Sequence, residues 1–194
     1  MTTKRTNSAR RRPASRAPRT RLLVVCGAKR TEPDYLTGLV RAARNPATVV
    51  KVVVRARDPK DVVGYARKYR ESAADDFDQV WCVLDVDEFS FVDALAGARK
   101  DGTHLAISNP CFELWLLLHH AEVNVSLDGA ADVVTRLKRC VPGYDKAALC
   151  FADFAPGVPD AVRRAQILAS GDTELGPNPS TGVWRLVELI IREA

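Results

Sequence analysis

Residues 80–90 read V-W-C-V-L-D-V-D-E-F-S, an apolar run that ends abruptly in Asp85, Asp87 and Glu88. Such a run predicts a buried strand that delivers carboxylates at its C-terminal end. In an extended segment residues two apart point to the same side, so Asp85 and Asp87 can converge on one divalent cation while Glu88 faces away or opens the next turn. Hard cations such as Mg²⁺ or Mn²⁺ take oxygen ligands of this kind. The same acids also suit a loop that caps the next helix near its positive end. Spacing alone does not separate the two readings.

The segments around this strand alternate in period. Leu22 to Cys26 is a short apolar run, followed by a loop and then by Pro33 to Arg44, where Tyr35, Leu36, Leu39, Val40 and Ala43 recur at helical spacing. Val49 to Val54 is β-branched and strand-like, and Asp58-Pro59 supplies an N-cap and a first-turn proline for a helix reaching about Arg70. After the third strand, Gln79 to Leu84, come a helix over Phe91 to Lys100, a stop at Gly102 and a fourth strand over Thr103 to Ile107. Alternating strands and helices predict an α/β fold with a mainly parallel sheet flanked by helices on both faces.

Beyond the sheet, Asn109-Pro110 reads as a cap and first-turn pair for a helix over Cys111 to His120 that is apolar on nearly every side. The C-terminal third is helical by pattern over Asp128 to Cys140, Asp160 to Ala169 and Thr181 to Glu193, with Ser180 and Thr181 expected to cap the last of these.

Charge is unevenly placed. The formal net charge is +5, yet residues 1–21 hold eight basic residues, among them Arg10, Arg11 and Arg12, and no acid. The remainder carries 21 basic against 24 acidic residues. Residues 1–20 therefore read as a disordered basic tail and 21–194 as one domain. An arginine-rich tail can neutralise phosphates without reading sequence, which favours a nucleic-acid partner, DNA or RNA; a solubilising leader is the plainer alternative. The tail lacks the apolar stretch of a secretory signal, and no segment reaches the ~18 apolar residues of a membrane span. The five cysteines are dispersed and odd in number, which suits reduced thiols. The expectation is a cytoplasmic protein with no membrane contact.

In open α/β sheets ligands collect beyond the C-terminal ends of the strands, so the loop after strand one can face the loop after strand three. Glu32 would then approach Asp85 and Asp87. The helix dipole also favours a carboxylate there, and Thr31 could cap. Lys29 and Arg30 in the same loop are candidate phosphate contacts. Glu113, in the first turn of the hydrophobic helix, either points into the acidic site or complements the helix N-terminus. Lys146, within Gly143-Tyr144-Asp145-Lys146, either stabilises developing phosphate charge or is a surface lysine. His119 has a helix C-terminal location that favours partial positive charge, and suits a structural role better than a catalytic one.

Four blocks together resemble RloB-like proteins. They are Cys26 with Thr31-Glu32-Pro33-Asp34-Tyr35; Asp85-Val86-Asp87-Glu88; the segment S-N-P-C-F-E-L-W-L-L-L-H from Ser108 to His119; and Asn178-Pro179-Ser180-Thr181. The resemblance runs from about residue 20 to the C-terminus. It implies a Toprim-like fold, an origin in bacterial restriction-modification or abortive-infection loci, and often a neighbouring ABC-type ATPase as partner. It further implies a metal-dependent nuclease with a glutamate after strand one and an Asp-x-Asp after strand three, the latter present as Asp85 and Asp87. Relatives commonly read C-E-G-x-x-T-E where this chain reads Cys26-Gly27-Ala28-Lys29-Arg30-Thr31-Glu32, which puts Gly27 in place of the usual first acid. Glu32 matches the second acid of that block and is expected to hold Mg²⁺ or Mn²⁺ with Asp85 and Asp87, helped by Glu113. Lys146 or Lys29 would assist. If the missing acid has cost the chain its catalysis, the alternative is a binding partner of nucleic acid or of the ATPase.

Overall fold

The computed structural model describes residues 19–73, 76–86, 91–169 and 174–192. The tail arginines Arg10, Arg11 and Arg12, together with Asp87 and Glu88, lie outside the described residues.

The alternation seen in the sequence folds as an α/β layer structure. Its elements run β1 (Thr20–Cys26), α1 (Thr31–Ala43), β2 (Thr48–Val54), α2 (Pro59–Ser72), β3 (Gln79–Asp85), α3 (Val92–Asp101) and β4 (His104–Asn109). The chain continues with α4 (Phe112–Leu118), α5 (Gly129–Cys140), α6 (Val158–Leu168), β5 (Ser180–Thr181) and α7 (Val183–Ile191). The strand order is β2-β1-β3-β4-β5, with β1 parallel to both β2 and β3, β3 parallel to β4, and β5 antiparallel to β4.

Both faces of the sheet are covered, as a nearly continuous apolar β1 requires. Leu22, Val24 and Cys26 point into a core shared with α1, α4, α5, α6 and α7, while Leu23 and Val25 point into a second core with α2 and α3. All five are fully buried, each large aliphatic side chain contributing about 1.5–3 kcal/mol relative to exposure. Local signals set several boundaries as expected. Asp58 accepts the N–H of Asp61 at 3.0 Å ahead of Pro59, and Gly102 ends α3 at φ 64°, the left-handed conformation that glycine adopts most readily.

Three local expectations are corrected. Asn109 does not cap a helix: it closes β4 opposite Ser180, its Nδ2 donates to the Gly176 carbonyl at 3.1 Å, and α4 starts only at Phe112, with extended Cys111 before it. Ser180 and Thr181 do more than cap the last helix. They form β5, where the Thr181 hydroxyl meets that of Ser108 at 2.9 Å and also accepts the N–H of Val183 at 3.3 Å. Thr31 is the first residue of α1 rather than its cap, and its hydroxyl donates to the Lys146 carbonyl at 3.3 Å.

Order along the sheet places a topological switch between β1 and β3, because the chain leaves β1 toward β2 on one side and later returns to β3 on the other. The helices that follow β1 and β3 pack on opposite faces of the sheet, α1 on one and α3 on the other, and a crevice opens beyond the ends of the two strands.

Candidate functional site

Two strands meet at this crevice in fixed register. Cys26 pairs with Val83, the Gly27 N–H donates to the Val83 carbonyl at 3.0 Å, and Asp85 pairs with Ser108 on β4. A cavity of about 150 Å³ opens here, lined by Gly27, Ala28, Glu32, Arg57, Leu84, Asp85 and Lys146 among others. The backbone of a central strand thus carries Asp85 to the cavity, and the first turn of α1 carries Glu32.

Glu32 is buried, and its Oε2 accepts the Ala28 N–H at 2.9 Å, which closes the loop between β1 and α1 on itself. Its carboxyl is held well above the usual carboxylate range by burial first, then by the charge of Asp85; the Ala28 N–H opposes, Glu113 adds to the rise and Lys146 opposes it. Glu32, Asp85 and Glu113 therefore lie within electrostatic reach of one another.

Glu113 sits behind this pair, fully buried in the first turn of α4. Its Oε1 receives the Tyr144 hydroxyl at 3.1 Å and the Lys146 ammonium at 2.9 Å. Burial pushes its pKa up, but the hydrogen bond and charge of Lys146 outweigh that and hold it below its ordinary value. Lys146 is raised in turn: desolvation lowers it, while Glu113 and then Asp85 raise it by more. Among the described residues Oε2 of Glu113 has no hydrogen-bond partner. Burial, followed by the charges of Glu113 and Asp85, drives the Cys111 thiol far upward, so it remains protonated.

The loop that bears Lys146 is stitched to the loop after β1. Arg30 Nη1 donates to the Ala147 carbonyl at 2.8 Å, alongside the Thr31 contact to Lys146. Arg30 is thus engaged in positioning Lys146, and Lys29 lies exposed beside it. Sequence reasoning missed Arg57 and Tyr144. Tyr144 stood within the quoted Gly-Tyr-Asp-Lys block, whereas Arg57 had only its place at the end of a strand to mark it.

His119 belongs to the structure rather than to the site. Its Nδ1 faces the Trp115 carbonyl at 2.9 Å, which can only accept, so Nδ1 carries the proton and Nε2 accepts the Tyr35 hydroxyl at 2.9 Å. Rings of Tyr35, Trp115 and Phe154 meet it edge-on. Burial lowers its pKa to about 4, so the partial positive charge expected at a helix end is overturned by desolvation.

A family model described as RloB-like protein matches residues 22–190. The chain belongs to the RloB-like protein family. No curated protein and no solved structure matches it. The RloB-like match spans β1 to α7 and so contains every described residue of the cavity.

By donor type alone, the acids of this RloB-like site suit a divalent cation. The acids are oxygen donors held by burial in mutual repulsion, and Glu113 Oε2 is an orphaned buried oxygen. Among the described residues no group of three or more His, Cys, Asp or Glu is arranged to hold a metal ion, and Asp87, the further expected ligand, lies outside them. No helix among the described residues is long and apolar enough to cross a membrane.

Proposed function

We propose that this RloB-like protein is a divalent-cation-dependent phosphodiesterase acting on nucleic acid in bacterial defence against phage. The observation that carries the reading is the meeting of Glu32, Asp85 and Lys146 in one cavity at the sheet's switch point, with Glu113 held behind them. Glu32 and Asp85 would hold Mg²⁺ or Mn²⁺ together with Asp87, helped by Glu113. When bound, such a cation would supply Lewis-acid stabilisation of phosphoryl charge and a more acidic attacking water.

The protein's own groups supply the rest. Strand pairing of Asp85 with Ser108 fixes one acid before substrate arrives, and the Ala28 N–H orients Glu32. Lys146, its ammonium steadied by Glu113 while its side chain is 63% exposed, offers charge to a phosphate in the cavity. Arg57 at the cavity adds a planar donor fork. The family resemblance supports the defence setting and an ABC-type ATPase as partner.

One observation favours a second reading. Lys146 already neutralises Glu113, and Gly27 brings no acid to the cavity, so the crevice also suits a phosphate-binding module that works through its partner. The deciding experiment is incubation of plasmid DNA, single-stranded DNA, bulk RNA and tRNA with Mg²⁺, Mn²⁺ or EDTA, with Asp85→Ala as control. Metal-dependent cleavage that the variant loses, by about a hundredfold or more, supports the phosphodiesterase. Cleavage retained in full by the variant overturns the assignment of Asp85, and no cleavage by either favours the binding module.

A further inference from the structure

Positive charge in the folded chain is concentrated on one flank. Residues 51–72 hold seven Lys and Arg against three acids, although the chain from residue 22 onward carries more acids than bases. On α2 itself Lys60 pairs with Asp93 at 2.9 Å, Arg67 lies between Glu71 and Asp101, and Arg70 donates to the Asp101 carbonyl at 3.0 Å. Lys51, Arg55 and Arg57 follow one another along the chain toward the cavity, which Arg57 lines.

The line has a built geometry. Lys51 on β2 and Arg55, the residue just after its end, are four residues apart, about 13 Å in extended chain, and both reach the tyrosines of α2. Tyr65 and Tyr69 are one turn apart on α2, their rings 5.9 Å apart. The Lys51 ammonium stands over Tyr69 at 5.4 Å and the Arg55 guanidinium over Tyr65 at 5.3 Å. A cation on a ring face loses rotamer freedom in advance, while the edges of a stacked guanidinium keep its N–H donors available. Arg55 also reaches the site through its backbone, its N–H bonding the Cys26 carbonyl at 2.9 Å, and Arg57 two residues on lines the cavity of Glu32 and Asp85. β2 is the outermost strand of the sheet, so among the described residues no further strand covers this edge.

A row of pre-positioned cations that ends at an acidic cavity complements a chain of phosphates passing toward a metal-binding centre. We propose that the β2–α2 flank is a track for the phosphodiester backbone of nucleic acid, with Lys51 and Arg55 gripping phosphates and Arg57 handing the strand to the cavity. The direction of the track rests on the phosphodiesterase reading; the binding itself does not.

The test uses the full chain without divalent metal, measuring anisotropy of labelled single-stranded and duplex oligonucleotides of about 16 nucleotides over a salt series. Lys51→Glu/Arg55→Glu is expected to weaken binding about tenfold or more and to flatten the log–log salt slope by roughly two phosphate contacts. Arg41→Glu/Arg139→Glu, at exposed positions of α1 and α5, makes the same charge change elsewhere and is expected to cost less than about threefold. Tyr65→Ala/Tyr69→Ala keeps the charge but frees the cations, and should fall between them; unchanged melting temperatures exclude misfolding. Equal losses for both charge reversals, no loss at 51 and 55, or no binding by the parent chain would each overturn the track. A lost grip with no cleavage by the parent under Mg²⁺ or Mn²⁺ keeps the track and sinks the phosphodiesterase. Cleavage with unchanged KM in Lys51→Glu/Arg55→Glu does the reverse.

Discussion

Lys146 Nζ stands 2.9 Å from Oε1 of Glu113, joining a lysine that is 63% exposed to a carboxylate that is 1% exposed. The pair spans the boundary between solvent and core, and the Tyr144 hydroxyl shares the same oxygen. Removing the lysine leaves a buried charge with one neutral donor.

Lys146→Ala is therefore expected to lower stability by about 2 kcal/mol, less than a fully buried pair would lose because the ammonium is already largely hydrated. The melting temperature should fall by about 4–8 °C at neutral pH. Adding Glu113→Gln should recover most of that loss, and a double variant as unstable as the single one would show that the ion pair is not the cause.

Divalent cations should stabilise the parent chain. At a concentration a hundred times the dissociation constant the gain is about 2.7 kcal/mol, read as a higher melting temperature that EDTA reverses. Glu32→Gln and Asp85→Asn should abolish the gain. A metal response that survives both substitutions would place the cation elsewhere.

Gly27 stands where the family resemblance implies an acid, and its surroundings limit a substitution. A Cβ there would lie 3.3 Å from both Leu84 Cδ2 and the Val83 carbonyl oxygen, so Gly27→Ala should cost about 1 kcal/mol in a urea melt. Gly27→Glu pays the same packing cost and adds a carboxylate beside the cavity. Cleavage that appears or rises with Gly27→Glu, but not with Gly27→Ala, identifies a nuclease that has lost a ligand. Equal activity in all three chains favours the binding role.

Stability should fall in mild acid through His119. Its ordinary pKa of 6.5 drops to about 4 in the fold, so the unfolded chain binds a proton that the native one refuses between these values. The neutral ring's contribution is complete above pH 6.5 and is lost as pH falls toward 4, a change on the order of 3 kcal/mol. Arg164 and His120 bear on the same ring and act in the same direction. Urea midpoints followed across this window should decline in the parent and flatten in His119→Gln; parallel slopes would assign the acid sensitivity to other groups.

Much of the architecture was legible because it rests on short-range patterns. The β-branched run before Val54, the Asp58-Pro59 cap and the stop at Gly102 each act within a few residues, and each appears where expected. Asn109 and Ser180 were misread for the opposite reason. A two-residue antiparallel strand has no periodicity of its own, and only the pairing of Ser108 with Thr181, 73 residues away, makes it a strand.

The candidate site divides along the same line. Sequence alone determined that Asp85 ends a buried strand and that Glu32 opens a helix, since apolar period and terminal chemistry decide such positions locally. It also singled out Glu113 and Lys146, but left each poised between a site and an ordinary surface or helix-end role. Tertiary structure decided that these two are partners, that Tyr144 joins them, that Arg30 ties down the lysine's loop, and that Arg57 enters the cavity. Those facts depend on the strand order that opens the crevice between β1 and β3, and strand order is set by packing between segments far apart in the chain, on which local propensity is silent.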